Sequence, residues 1–119
     1  NLHPHMLNLF YADRAAGPGN VQAVIAASRA RIAVLMDALE AAAARRPAWL
    51  SPERPTLLGY YLSMLLRWMG SFEAGDPRRV TLTDYPALHA VAAYIETRTA
   101  AQSVAAAEGL GPRPFTEPC

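Results

Sequence analysis

Histidine is the residue type in this chain best suited to binding a metal or transferring a proton, and it occurs at His3, His5 and His89. His3 and His5 are two residues apart, so on a helix they point to different sides. They cannot form the i, i+4 pair that shares a metal ion. His89 is distant from both along the chain. The spacing therefore predicts no metal site.

The chain has one thiol, on Cys119, its last residue. A single cysteine excludes an intrachain disulfide, which is typical of a reducing compartment and predicts a cytoplasmic protein. No base and no predicted helix N-terminus lies beside this thiol in the sequence. We therefore expect the Cys119 thiol to be inert.

The carboxylates are also placed without a catalytic partner. Seven of the ten fall at predicted helix ends, in loops or on polar helix faces: Glu40, Glu53, Glu73, Asp76, Asp84, Glu96 and Glu108. No two of them mark an acid and base pair, and the sequence has neither a Gly-rich phosphate loop nor a G-x-S-x-G motif. The residues alone thus predict no catalytic residue and no self-contained active site.

Length and charge narrow the class of protein. The 119 residues suffice for one domain with one core, and the hydrophobic content of 52% is that of a globular chain. The net charge is +1, all the basic side chains are arginines, and they form no cluster able to hold nucleic acid. The apolar runs are too short to cross a bilayer. We therefore expect neither a nucleic acid nor a membrane as partner.

The stretch from Thr56 to Trp68 predicts the central helix, against which the other helices pack. It is apolar at nearly every position except Gly59, Ser63 and Arg67, which are four apart and form one narrow stripe on a helix. This pattern predicts a central buried helix at about 56–69, with the small stripe admitting a close neighbour. The alternative is an amphipathic helix with an unusually wide apolar face. Thr56 is a good N-cap, but Gly59 cannot supply the second half of a capping box.

Apolar periodicity and helix-breaking residues predict the remaining elements. Trp49 and Leu50 are expected to fold back onto the core, Asp84 to cap the helix that follows it, and Gly109 to end the last helix in a Schellman motif. The prediction is an all-α bundle of five helices, at about 1–11, 20–46, 56–69, 85–97 and 99–108. Residues 12–20 and 70–84 are predicted loops. Residues 1–110 form the domain, and 111–119 are a loose Pro-rich tail that Phe115 can pin.

Six short motifs occur in an order that resembles the C-terminal helical domain of cytosolic glutathione transferases, especially the bacterial beta-like ones. They are L-H-P-x-x-x-x-L-F at 2–10, L-E-A at 39–41, W-L at 49–50, the core helix at 56–68, D-Y-P-A-L at 84–88 and E-G-L at 108–110. The chain departs from the family pattern at Pro52, Pro55 and Gly59, and more mildly at Thr99. These changes affect the start of the core helix more than the fold.

The resemblance implies a function for a longer parent. In that family a thioredoxin-like domain precedes the helical one, binds glutathione as co-substrate and supplies the residue that steadies its thiolate. The helical domain forms the wall of the pocket for an apolar electrophile, and the enzymes are usually homodimers. By position, the wall residues would be His3, Met6, Phe10 and Trp68, with His3 as the polar contact near the sulfur.

Simpler interpretations of these residues stay open. Met6, Phe10 and Trp68 can equally be core residues, His3 can be an exposed histidine, and Arg67 is better suited to a structural contact than to a ligand. The parent can also be a non-catalytic transferase-like module for association or ligand storage, because fold does not determine function. A third hypothesis is the helical effector domain of a regulator. On the first hypothesis, these 119 residues alone bind glutathione poorly and catalyse nothing.

Overall fold

The computed structural model describes residues 1–118, so the prediction for the Cys119 thiol lies outside the described residues. Residues 1–118 form helices and loops, with one isolated bridge between Ser51 and Arg54 and no strand. The all-α class is confirmed. The helices are α1 (Leu2–Phe10), α2 (Ala12–Ala16), α3 (Val21–Ala44), α4 (Leu57–Gly70), α5 (Pro86–Glu96) and α6 (Thr99–Ala107), with a 3-10 turn at Leu82–Asp84.

The predicted count of five helices is wrong, because α2 forms inside the stretch that its Gly and Pro residues mark as a loop. Tyr11 separates α1 from α2 with a non-helical backbone, and Gly17 ends α2 at a positive φ of 66°. Ala12 is buried where α2 packs against α3. Burial against another helix thus favours a helix of only five residues, which would not be stable in isolation.

The core is centred on α3, which packs against α1, α2 and α5. Its buried positions Ile25, Ser28, Ile32 and Met36 recur every three or four residues, so they form one continuous stripe. Leu50 folds back into the core as expected and is fully buried. The expectation for Trp49 is wrong, because half of its side chain lies in solvent (51% exposed).

Helix α4 is covered on one side only. Its inner face buries Gly59, Ser63 and three leucines, and a Cβ built on Gly59 would lie 3.5 Å from Ile95 Cδ1 of α5, so the small stripe does admit a close neighbour. Its outer face is apolar yet exposed, at Leu57, Leu58, Tyr61, Met64 and Trp68. The prediction that α4 is buried all round is therefore wrong, because α1 and α5, its main neighbours, both pack on the inner side.

The starts of α4 and α5 differ in how they are capped. Thr56 caps α4 through its hydroxyl, which accepts a hydrogen bond from the Gly59 N–H at 3.0 Å. The prediction that Asp84 caps α5 is wrong, because the N-cap position is Tyr85 and Asp84 belongs to the preceding 3-10 turn. Glu40 of α3 caps α5 instead. Its two carboxylate oxygens accept from the Ala87 and Leu88 N–H groups at 2.8 and 2.9 Å.

The C-terminal segment, residues 110–118, is anchored to the bundle near Phe115, which is the pinned of the two arrangements expected for the tail. Gly109 and Leu110 end α6 in the expected Schellman motif, with the Leu110 N–H donating to Ala105 O at 2.8 Å. The buried Glu96 carboxylate accepts from the Phe115 and Thr116 N–H groups, each at 3.2 Å. The Phe115 side chain is buried, so it anchors the segment as expected. The segment therefore forms part of the wall beside α4 and α6.

None of the helices in the described part of the chain is long and apolar enough to span a membrane.

Candidate functional site

Three of the four predicted wall residues lie at the surface shared by α1 and α4, and one does not. His3 and Phe10 are seven residues apart, two turns on one side of α1, and Trp68 lies near the end of α4. The His3 and Trp68 ring centroids are 6.3 Å apart. Met6 is fully buried and serves as a core residue, although its side chain forms the floor of a depression of about 220 Å³ that Phe10 and Trp68 also line.

Tyr61 joins this group, and sequence reasoning missed it. Its hydroxyl lies 3.2 Å from Nδ1 of His3, within hydrogen-bond distance, and its side chain is about half exposed. Tyr61 is seven residues before Trp68 on α4, so both point to the same side of the helix. That spacing was the available signal. A hydroxyl and an imidazole in contact beside apolar rings can orient a polar substituent of a bound molecule.

The end of α1 is fixed by an aromatic contact with the loop that follows α4. The rings of Phe10 and Phe72 are 4.6 Å apart at the centroids, and the Arg78 guanidinium lies 4.5 Å from the Phe72 centroid. Arg78 in turn donates to both carboxylate oxygens of Asp76. The hydrogen bonds from Arg78 lower the pKa of Asp76 from 3.8 to about 2. This chain of contacts holds Phe10 at the edge of the site.

Two larger cavities flank the aromatic group. One of about 310 Å³ lies beneath His3 and Tyr61, between α1, α3 and α4, and is lined mainly by leucines. The other, of about 600 Å³, lies between α4, α6 and the C-terminal segment, and Trp68 forms its edge. Trp68 therefore separates the α1 side of the surface from the α6 side. Both volumes suit small organic molecules, whose sites typically enclose about 300–1,000 Å³.

Arg67 makes the structural contact that its position suggests, but with a backbone group. Its guanidinium donates to Pro114 O at 2.9 Å and helps to hold the C-terminal segment. No carboxylate in residues 1–118 lies within 4.0 Å of it, so the guanidinium has no ion-pair partner there. It lies at the wall of the 600 Å³ cavity.

The surface of His3, Phe10, Tyr61 and Trp68 combines apolar rings with one imidazole and one phenolic hydroxyl. Residues 1–118 contain no group of three or more His, Cys, Asp or Glu side chains placed to hold a metal ion. The chain matches no protein-family model, no curated protein and no solved structure. The interpretation of the site therefore depends on its own geometry and on the motifs described above.

Proposed function

We propose that this chain is the helical domain of a glutathione transferase-like protein, and that it forms the hydrophobic wall of the electrophile site in the full-length parent. The observation that carries the proposal is the meeting of His3, Phe10 and Trp68 at one exposed surface. These are three of the four residues that the motif order selects, and they come from two helices far apart in sequence. Met6 supports the wall from beneath.

Each residue has a defined part in the proposal. Glutathione, as co-substrate, is held by a thioredoxin-like domain of the parent, which also stabilises its thiolate. The thiolate attacks the electrophile and forms a carbon–sulfur bond, and the leaving group departs. The rings of Phe10 and Trp68 bind the apolar body of the electrophile. His3, oriented by the Tyr61 hydroxyl at 3.2 Å, contacts a polar group near the reacting sulfur.

The outer face of α4 supplies the place for that second domain. Leu57, Tyr61 and Met64 follow one another at intervals of four and three residues and are 88%, 48% and 36% exposed. A row of this spacing forms a single apolar stripe along the helix. We propose that the glutathione-binding domain covers the stripe, which brings glutathione next to His3. A cytoplasmic homodimer is part of the same proposal, because it is the usual state of the family.

The test uses the full-length parent and a matched pair of tryptophans. Trp68→Ala removes an aromatic ring from the wall, and we expect the KM for chlorodinitrobenzene to rise roughly tenfold, the effect of losing about 1.4 kcal/mol of binding. Trp49→Ala is the control, because Trp49 is exposed to a similar degree but lies in the loop before α4. Equal effects of the two substitutions, or no conjugation by the wild-type parent, would overturn the proposal.

A non-catalytic association module is the second candidate, and the exposed stripe on α4 favours it as well. An apolar stripe that meets a partner protein needs no bound glutathione. The two candidates separate when the parent is applied to glutathione–agarose. Retention together with conjugation supports the transferase, whereas passage through the resin without retention supports the association module.

A further inference from the structure

The loop of residues 71–79, which follows α4, is tied to the bundle by hydrogen bonds from two arginines. The Arg79 guanidinium donates to Phe72 O at 3.1 Å, inside the loop. Arg29 of α3 donates through Nε to Pro77 O at 3.1 Å. These bonds fix the backbone on either side of the Phe72 ring, so the ring meets α1 from a supported position.

Phe10 is the residue of the candidate wall that this loop contacts. It is the last residue of α1, and 39% of its side chain is exposed. The backbone leaves the helical conformation at Tyr11, so no further turn of α1 flanks the Phe10 ring. The Phe72 ring lies against it instead, with the centroids 4.6 Å apart and the planes inclined at 35°. This separation is typical of an attractive aromatic pair, so the contact restricts rotation of the Phe10 side chain.

The Phe72 ring is held in turn by Arg78. The centre of the guanidinium lies 4.5 Å from the ring centroid, while Nε and Nη2 donate to the two carboxylate oxygens of Asp76. A guanidinium can stack with its face and donate from its edge at the same time. Asp76 therefore fixes the orientation of the group that covers Phe72. The contacts run without a break from Asp76 through Arg78 and Phe72 to Phe10.

We propose that Phe72 and Arg78 are positioning residues for Phe10, and that they make the wall selective for flat aromatic electrophiles over aliphatic ones. The inference rests on the proposed function, because it names the substrate class of the same wall. Neither residue lines the depression of about 220 Å³ that Phe10 and Trp68 share, so both act through the Phe10 ring. Sites for small organic molecules typically enclose at least about 300 Å³, so this depression suits a single ring.

A fixed ring favours an aromatic ligand for two reasons. The Phe10 side chain has already lost its rotational freedom, so binding does not have to restrict it. A stacked aromatic pair is also stronger, by roughly two- to tenfold in affinity, than its buried area alone predicts. An aliphatic electrophile buries apolar area against the same wall but has no ring to stack. Loss of the support behind Phe10 should therefore weaken the aromatic electrophile selectively.

The test compares two electrophiles in the full-length parent. Glutathione thiolate displaces chloride from the aromatic chlorodinitrobenzene and iodide from the aliphatic butyl iodide, and the measured quantity is the ratio of the two kcat/KM values. Phe72→Leu keeps an apolar side chain but removes the ring. We expect the ratio to fall roughly threefold, through a higher KM for chlorodinitrobenzene at unchanged kcat. Phe72→Tyr keeps a ring and should retain the wild-type ratio. An equal loss with both electrophiles would show a merely structural role for Phe72 and overturn the inference.

Arg78→Gln and Arg98→Gln are a matched pair of variants. Each removes a guanidinium that lies over an aromatic ring, Arg78 over Phe72 at 4.5 Å and Arg98 over Tyr94 of α5 at 5.7 Å. Only the first ring contacts the wall. Arg78→Gln should lower the ratio roughly twofold, as the loss of an exposed cation–π contact predicts, and Arg98→Gln should leave it unchanged. Equal changes in the two variants would contradict the role of Arg78.

A double variant tests whether Phe72 acts through Phe10. Phe10→Leu should lower the ratio by roughly threefold or more, since the stacking ring itself is gone. Adding Phe72→Leu should then cause no further fall, because two residues that act through one contact are not additive. Additive falls would refute a positioning role.

The failure of this inference differs from the failure of the proposed function. If the wild-type parent conjugates neither electrophile, the transferase proposal is wrong and the inference falls with it. If the parent conjugates both and no Phe72 or Arg78 variant changes the ratio, only this inference is wrong.

Discussion

Replacing Glu40 tests the source of stability at the start of α5. Its carboxylate accepts from Ala87 N–H at 2.8 Å and Leu88 N–H at 2.9 Å. A helix start leaves its first N–H groups without an internal partner, and because Pro86 has no N–H, those of Ala87 and Leu88 are the first that α5 itself offers. A side-chain cap contributes about 0.5–2 kcal/mol, and an anion at the positive end of the helix dipole belongs to the upper part of that range. We therefore expect Glu40→Ala to lower the free energy of unfolding by about 2 kcal/mol.

Two further variants test whether the loss of stability comes from the capping bonds of Glu40. Glu40→Gln keeps one oxygen acceptor and should cost about 1 kcal/mol. Asp84→Ala is the control, since Asp84 is exposed, lies two residues before α5 and makes no capping bond. It should change stability by less than about 0.5 kcal/mol. Urea unfolding of the three variants measures these differences. A larger loss for Asp84→Ala than for Glu40→Ala would refute the remote cap and restore the local one that the sequence favours.

Three further substitutions test other contacts. Glu96→Ala removes an acceptor for two backbone N–H groups and the Thr116 hydroxyl, so urea unfolding should show a loss of about 2–3 kcal/mol and amide exchange at Thr116 should accelerate. Ser63→Ala removes a buried hydroxyl that has no hydrogen-bond partner within residues 1–118, so it should leave stability unchanged or raise it by up to about 1 kcal/mol; a loss of more than about 1 kcal/mol would reveal a partner. Asp76→Asn removes a carboxylate whose pKa the hydrogen bonds from Arg78 lower to about 2. The stabilisation is present above pH 3.8 and is lost as the pH falls through about 2, so the difference in Tm from wild type should close over that interval, and a constant difference would contradict it.

Elements specified by neighbouring residues were predictable from the sequence. The predicted helix at 20–46 is observed as Val21–Ala44, and that at 99–108 as Thr99–Ala107. The first ends three residues before Pro47 and the second two residues before Gly109, and a proline or glycine acts on the backbone within a few positions. The start of α4 is of the same kind, since the Thr56 hydroxyl meets an N–H three residues later. At the starts of α3 and α6, Asn20 and Arg98 occupy the N-cap positions without a side-chain capping bond, so the prediction that Asn20 caps α3 is wrong.

Features that depend on distant residues were missed. The cap on α5 comes from Glu40, 47 residues before Ala87, and the anchor of the C-terminal segment comes from Glu96, 20 residues before Thr116. Local patterns carry no information about such pairs. A carboxylate on a polar helix face looks the same in the sequence whether it faces water or another helix start. The structure gives both residues roles that capping rules alone could not assign.

In the candidate site, too, some features were predictable from the sequence and others depend on tertiary packing. Residue type and motif order selected His3, Phe10 and Trp68, but not the axial register of α1 against α4, which places His3 beside Tyr61 at 3.2 Å. Register follows from the packing of Met6 and Leu9 in the core, and both are fully buried. The same packing removes Met6 from the exposed wall. Its long apolar side chain suited either location, and only the tertiary arrangement decides between them.

The outer face of α4 connects the fold to both proposals for function. Leu57, Tyr61, Met64 and Trp68 recur along that face and stay exposed, while the inner face is already covered by α1 and α5. Because α1 and α5 cover only one face of α4, the other face is exposed whichever way the helix is turned about its axis. Polar side chains on that exposed face would therefore not lower the stability of the domain by itself. A row of large apolar side chains held in water is instead typical of a contact surface. We infer that the second domain of the proposed transferase, or a partner protein, covers the outer face of α4, and that this explains why the sequence of α4 is apolar on nearly every side.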